Sequence, residues 1–223
     1  MKLKQLIAES VKTVSRCYPE EEAREMVFAY LEYAFGTKKY THIIEPDYEI
    51  PEDGVAQARQ AFDRMASGEP LQYVTGEAYF YGRRFNVTPA VLIPRPETEI
   101  LCQSVLSGSG AGKGSKILDL CTGSGCIVLS LLHLTKDCIG TGVDLSEKAL
   151  EVAKQNAKKL EKECTFIHSD LFENIDGKYD VIISNPPYIA TKEIEALEPE
   201  VRIHEPMMAL DGKEDGLFFY RKI

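Results

Sequence analysis

The strongest chemical signal in the sequence is the string Asn185-Pro186-Pro187-Tyr188. Two consecutive prolines fix the backbone and remove two N–H donors, so the carbonyls around them point where the chain sets them. The side-chain oxygen of Asn185 and the carbonyl of Pro186 can each accept one hydrogen from a planar NH2 group, and Tyr188 offers that group an aromatic face. Asn185, Pro186 and Tyr188 are therefore the catalytic candidates, with Pro187 beside them as a wall of the substrate site. An inert turn is the competing reading of so short a string. Its place argues against that, because it directly follows the apolar run Tyr179 to Ser184.

Three further features precede it in order. Asp119-Leu-Cys-Thr-Gly-Ser-Gly125 follows an apolar run and leads into a helical pattern, and Gly123 and Gly125 let a ligand approach the backbone closely. The next apolar run ends at Val143-Asp144, 19 residues after Gly125, where a carboxylate can accept hydrogen bonds from both hydroxyls of a ribose. Ser169-Asp170-Leu171 then sets a carboxylate near a base's exocyclic amine and an apolar side chain beside its ring. The set fits an adenosine. A dinucleotide fits less well, since Gly123-x-Gly125 has no third glycine and Asp119 would repel a pyrophosphate. An acid at Asp119 suits the amino group of a methionine moiety instead; the competing reading is that it caps the loop.

The elements that must position these residues alternate. Strand candidates Lys116–Leu120, Cys138–Val143, Cys164–His168 and Tyr179–Ser184 are separated by helices expected over Gly125–Leu134 and Ser146–Leu160, which predicts an α/β fold with a parallel, doubly wound sheet and a site at the strands' carboxyl ends. Upstream, Leu3, Leu6, Ile7, Val11 and Val14 recur at helical spacing. Glu20 to Glu22 open a second helix that Gly36 closes, and a third is expected over Gly54–Ser67. Residues 1–72 thus read as a small helical bundle and 73–93, rich in aromatic and β-branched residues, as a β-hairpin linker. Residues 94–223 form the remaining domain, opening with a helix to about Val105 and the glycine-rich loop Gly108–Gly112.

Composition narrows the class. With 44% hydrophobic and 27% charged residues in 223, the chain is expected to be globular, and 26 Lys+Arg against 35 Asp+Glu give a net charge of −9 that exerts no overall pull on nucleic acid or anionic membrane. No apolar run reaches the roughly 18 residues of a membrane span, and the polar start has no signal-peptide core, so a cytoplasmic location is expected. The six cysteines lack a C-x-x-C pair and read as reduced, mostly buried thiols; no metal site is expected, and His42, His133, His168 and His204 are too scattered for one.

The order of the glycine loop, Asp144, Asp170 and Asn185-Pro-Pro-Tyr188 resembles class I S-adenosylmethionine-dependent methyltransferases acting on exocyclic or amide nitrogen. The chain is more closely similar to the HemK/PrmC family, which methylates the glutamine of the Gly-Gly-Gln motif in peptide-chain release factors. The helical bundle, Pro70-Leu-Gln-Tyr-Val-Thr-Gly76 and Ile93-Pro-Arg-Pro-Glu-Thr-Glu99 carry the resemblance across essentially the whole chain. It implies a Rossmann-like methyltransferase domain whose sheet is incomplete at the C-terminus, because family members continue past Ile223, inside a helix, with further strands. It also implies that Cys121, Thr122, Gly123, Ser124, Gly125, Asp144, Leu145 and Leu171 contact the cofactor, with Asp119, Asp170 and Asn185 beside them. Asn185 to Tyr188 would hold the substrate glutamine, and Arg95, Glu97 and Thr98 would line the entrance or cap the following helix. Cys121 stands where many methyltransferases have glycine and is expected to avoid positive φ. Leu171 stands where an aromatic can occur.

Two other functions remain open at this point. The same four residues could hold the exocyclic amine of adenine or another base in DNA or RNA, although such an enzyme needs phosphate contacts and must flip its base. A non-catalytic factor binding nucleotide or a translation protein through the helical bundle is the other.

Overall fold

The computed structural model describes residues 1–108, 111–135 and 137–223. Ser109 and Gly110 of the expected Gly108–Gly112 loop lie outside the described residues. The chain forms two compact units, residues 1–75 and 76–223.

In the first unit, α1 (Leu3–Val14), α2 (Glu20–Phe35) and α4 (Glu52–Ala66) supply most of the apolar core, with the short helices α3 (Thr41–Ile44) and α5 (Leu71–Thr75) beside them. The spacing that marks α1 in the sequence is its buried face, since Leu3, Leu6, Ile7, Val11 and Val14 all point into one cluster with Val27, Leu31, Phe62 and Met65. Acidic residues in the first turn of α2 meet the positive end of its dipole, and Gly36 ends it in the left-handed region. Tyr73, expected in the hairpin, belongs to α5.

In the second unit, β1 (Glu77–Phe80) and β2 (Arg83–Asn86) pair antiparallel. Phe80 and Phe85 are buried in the same cluster as Ile117, Ile127, Leu131 and Ile183, so the expected linker is part of this unit's core. A 3-10 turn (Pro96–Thr98) leads into α6 (Glu99–Ser107). Then follow β3 (Lys116–Leu120), α7 (Cys126–Leu134), β4 (Ile139–Asp144), α8 (Glu147–Lys159), β5 (Cys164–His168) and β6 (Val181–Ser184). The four strands are parallel in the order β5-β4-β3-β6.

β3 sits inside that sheet, and Ile117, Leu118, Asp119 and Leu120 are all buried, the covered-on-both-faces pattern of a central parallel strand. Full burial of each such leucine or isoleucine contributes on the order of 1.5–3 kcal/mol. After β5 the chain crosses to the other side of β3 to form β6, so the order reverses at β3. The crevice beyond the carboxyl ends of β3 and β6 is then the expected ligand position.

A 3-10 turn (Thr191–Ala196), α9 (Pro199–His204) and α10 (Met207–Leu210) follow, and residues 218–222 are turns where a helix was expected. All six cysteines are free, but only Cys102 and Cys126 are buried; Cys121, Cys138 and Cys164 are half-buried and Cys17 is exposed. No described helix is long and apolar enough to cross a membrane.

Candidate active site

A cavity of about 300 Å³ opens beyond the carboxyl ends of β3, β4, β5 and β6. Register makes this possible: Leu120 pairs with Val143 and with Ser184, and Asp144 pairs with His168, so the loops after all four strands leave the sheet at one level. The cavity brings together Cys121, Thr122, Gly123, Ser124, Asp144, Leu145, Asp170, Leu171, Asn185, Pro187 and Arg95 from the expected set. A second cavity of about 420 Å³ is lined by Arg95, Glu97, Thr98, Asn185 and Tyr188 among others, so Asn185 and Thr98 face both. Pro186 is buried and is not among the residues lining either cavity, and Tyr188 is exposed.

The glycine loop is held from below. Oδ2 of Asp144 accepts the Gly123 N–H at 2.8 Å and Oδ1 accepts the Ser146 N–H at 2.9 Å, which fixes the carboxylate and the loop together. Burial pushes the Asp144 carboxyl up from its ordinary value, against the lowering by these N–H donors. Gly125 turns the chain into α7 at φ +79°, and a β-carbon there would meet Leu129 at 3.1 Å and Ala153 at 3.3 Å. That position therefore has both a conformational and a packing reason to be glycine.

Cys121 departs from expectation. It adopts φ 58°, and Leu171 on the opposite loop adopts φ 48°. Both are cavity-lining residues in a region that disfavours side chains, at a cost of order 1–3 kcal/mol each. Burial, with Asp144 next in weight, pushes the Cys121 thiol up to about 12, so it is a neutral wall of the cavity.

Asp119 and Gly125 are not among the residues lining either cavity. Asp119 is fully buried; its Oδ2 accepts from the Thr122 hydroxyl at 2.7 Å and from the Val128 N–H at 3.3 Å, while Oδ1 has no partner among the described residues. Desolvation pushes its carboxyl up to about 7. Its contacts are those of the loop-capping alternative: it ties the turn to the start of α7.

The Asn185-Pro186-Pro187-Tyr188 loop is braced from a later segment. The Ile189 N–H donates to the Leu210 carbonyl at 3.1 Å, the Gly212 N–H to the Ile189 carbonyl at 2.8 Å, and the Thr191 N–H to the Lys213 carbonyl at 2.9 Å. Beside Arg95, which lines both cavities, the buried Glu205 accepts the Ile93 N–H at 3.0 Å and ion-pairs with the Arg95 guanidinium. Sequence reasoning missed Glu205, Met208 and Phe219. The only local signal for Glu205 is an acid between His204 and Pro206 beside an apolar run.

Comparison with known proteins identifies the family. A family model described as Methyltransferase small domain matches residues 97–208, and one described as PrmC N-terminal domain matches residues 5–76. The release factor glutamine methyltransferase of Thermodesulfovibrio yellowstonii is 44% identical over 179 residues, 78% of this chain and 64% of that protein. That of Geobacter sulfurreducens is 40% identical over 204 residues, covering 91% of this chain and 71% of the relative. That of Flavobacterium psychrophilum is 33% identical over 229 residues, covering 100% and 80%. The chain thus spans less than two thirds of the first relative's length. With a domain model over half its length and relatives of this identity along most of it, the chain belongs to the release factor glutamine methyltransferase family.

Proposed function

We propose that the chain transfers a methyl group from S-adenosylmethionine to the side-chain amide nitrogen of the glutamine in the Gly-Gly-Gln motif of peptide-chain release factors, giving S-adenosylhomocysteine, the N-methylated amide and one proton released from the nitrogen to solvent. One observation carries this reading: Asn185 lines the same cavity as the Cys121–Ser124 loop, Asp144 and Leu171. An acceptor for NH2 protons and a nucleoside-sized slot are therefore adjoining parts of one site.

The donor set fits the cofactor. Asp144 has two carboxylate oxygens at the cavity, each with a lone pair beyond its backbone N–H partner. Val91, Leu92, Ile127, Val143 and Leu171 supply apolar walls for a ring. When bound, S-adenosylmethionine supplies a methyl group made electrophilic by its sulfonium.

A glutamine amide nitrogen is a poor nucleophile because its lone pair is delocalised into the carbonyl. Orientation must therefore supply most of the acceleration. Oδ1 of Asn185 and the Pro186 carbonyl accept the two amide hydrogens, favouring tetrahedral character at nitrogen as charge develops there. Tyr188 and Pro187 bound the flat group from the sides. Arg95 and Glu97 are assigned to the entrance, and the helical bundle, residues 1–72, to positioning the protein substrate. A substrate that works on the ribosome makes the cytoplasm the compartment, and neither a membrane nor stably bound nucleic acid is a partner in this reading.

Labelled S-adenosylmethionine and a purified release factor test it. Label should enter the release factor and be lost when Gly-Gly-Gln becomes Gly-Gly-Ala. Asn185→Ala should abolish transfer with cofactor affinity nearly intact. Labelling of an adenine-containing duplex instead would hand the site to a nucleic-acid substrate, and full activity in Asn185→Ala would sink the mechanism.

A further inference from the structure

S-adenosylmethionine brings a carboxylate into the site on its methionine arm, and the cavity is already lined by the acids Asp144 and Asp170. A further anion in that space needs a cation or charge-assisted N–H donors. The cations among the lining residues are Arg95 and Lys148.

These two stand at different ends of the cavity. Lys148 is in the first turn of α8, just after Asp144, on the side given to the ribose and the adenine. Arg95 goes with Asn185. The two cavities share Leu92, Arg95, Thr98, Asn185 and Ala209, and the second takes none of its lining from the loops after β3, β4 and β5. β6, which leads into Asn185, is the edge of the sheet opposite β5. The methyl group is handed over at Asn185, and the methionine arm leaves the same sulfur, so its carboxylate falls at the Arg95 end.

Arg95 is held with donors to spare. Its Nη2 donates to Oε1 of the buried Glu205, whose Oε2 accepts the Ile93 N–H at 3.0 Å, and the Arg95 carbonyl accepts the Thr98 N–H at 3.0 Å. A guanidinium can only donate and a carboxylate can only accept, so the direction of the Arg95–Glu205 bond is fixed by the groups themselves. With that edge committed, the rest of the planar fork remains for a second carboxylate.

We infer that Arg95, held by Glu205, binds the carboxylate of the cofactor's methionine arm. The inference rests on the S-adenosylmethionine part of the reading above and not on the identity of the methyl acceptor. It makes Arg95 the residue that separates the cofactor from nucleosides sharing only its ring and ribose.

The test is calorimetric titration of the parent, Arg95→Gln and Arg95→Lys with three ligands: S-adenosylhomocysteine, its decarboxylated analogue, which keeps the amine, and 5′-methylthioadenosine, which lacks both groups. The parent should bind S-adenosylhomocysteine at least about tenfold more tightly than the decarboxylated analogue. Arg95→Gln should lose about tenfold to a hundredfold for S-adenosylhomocysteine and stay within about threefold of the parent for the other two, whose binding shows that the cavity is intact. Arg95→Lys keeps a charge for the buried Glu205 but not the fork, and should lose about threefold to tenfold for S-adenosylhomocysteine alone. If Arg95→Gln does not fold, the Arg95→Lys comparison decides, and affinity equal to the parent's then rejects the assignment. Equal loss for all three ligands overturns it, as does a raised KM for a release factor with every ligand affinity unchanged, which would give Arg95 to the protein substrate. If the parent does not distinguish S-adenosylhomocysteine from the decarboxylated analogue, the assignment falls and the cofactor reading stands; if the parent binds none of the three, the cofactor reading falls and the assignment with it.

Discussion

A β-carbon on Gly212 would stand 2.7 Å from the Cα of Tyr188 and 2.8 Å from its carbonyl carbon. Both are backbone atoms, so no side chain can swing aside to relieve the contact, and the Gly212 N–H is at the same time committed to the Ile189 carbonyl at 2.8 Å. Gly212→Ala must therefore move Tyr188 and the loop that carries Asn185. A displacement well under 1 Å at a positioned group is expected to lower methyl transfer by about tenfold to a hundredfold. The loops after β3 and β4 make no use of Gly212, so cofactor affinity should stay close to that of the parent. Transfer rates and calorimetric titration on the same preparation separate the two effects, and a parallel fall in both would show that the change is a general loosening.

Glu205 has a side chain only 1% exposed and is paired with Arg95, which is 36% exposed. Removing a buried carboxylate strands the Ile93 N–H and the guanidinium, whereas the amide isostere keeps an acceptor for the N–H. Glu205→Ala is expected to destabilise the chain by about 2–4 kcal/mol and Glu205→Gln by about half that. Urea unfolding of the two variants checks the order; equal midpoints would mean that the pair adds nothing beyond packing.

The central strand and the glycine turn were legible in the sequence because a parallel strand covered on both faces is an apolar run, as Lys116–Leu120 is. The long helices were legible through their buried faces. The helices Thr41–Ile44, Leu71–Thr75, Pro199–His204 and Met207–Leu210 were not, since four to six residues are too few to display a 3.6-residue period. Positive φ at Cys121 and Leu171 left no trace because neither is glycine. Glu205 acquires its meaning from Arg95, 110 positions earlier, and no local pattern records such a pair. For Asp119 the residue type suits both a ligand contact and a loop cap, and its bonds to Thr122 and the first turn of α7 are set by the folded loop, which no local pattern records.

The buried carboxyl of Asp119 also sets a pH dependence. Its folded pKa, raised to about 7, lies above the ordinary 3.8, so between these values the folded chain keeps a proton that the unfolded chain has released. The Asp119 contribution to stability therefore declines as pH rises through that window and is level above it, with a penalty of up to ~4 kcal/mol. Asp119→Asn removes the titration and retains an oxygen for Thr122 and Val128. The stability of Asp119→Asn relative to the parent should thus increase from about pH 4.5 to about 7.5. Denaturation midpoints across that range measure it, and a difference that does not change with pH would show that the carboxyl titrates normally.

Asn156 joins the hairpin to the glycine loop. It is fully buried on α8; its Oδ1 accepts the Asn86 N–H at 2.6 Å, and its Nδ2 donates to the Asn86 carbonyl at 3.0 Å and the Ser124 carbonyl at 2.9 Å. Every polar atom of the side chain is used, and each partner is a backbone group. Asn156→Ala strands all three and is expected to cost about 2–4 kcal/mol. Asn156→Asp should be worse, because it turns the double donor into an acceptor facing two carbonyls and buries a charge. Gln155→Ala, next to it on the exposed face of the same helix, should stay within about 0.5 kcal/mol of the parent. Because the Ser124 carbonyl belongs to the loop lining the cavity, the Asn156 variants should also bind S-adenosylmethionine several-fold more weakly even where they remain folded. Loss of stability with unchanged cofactor affinity would show that the loop keeps its shape without the Asn156 bond.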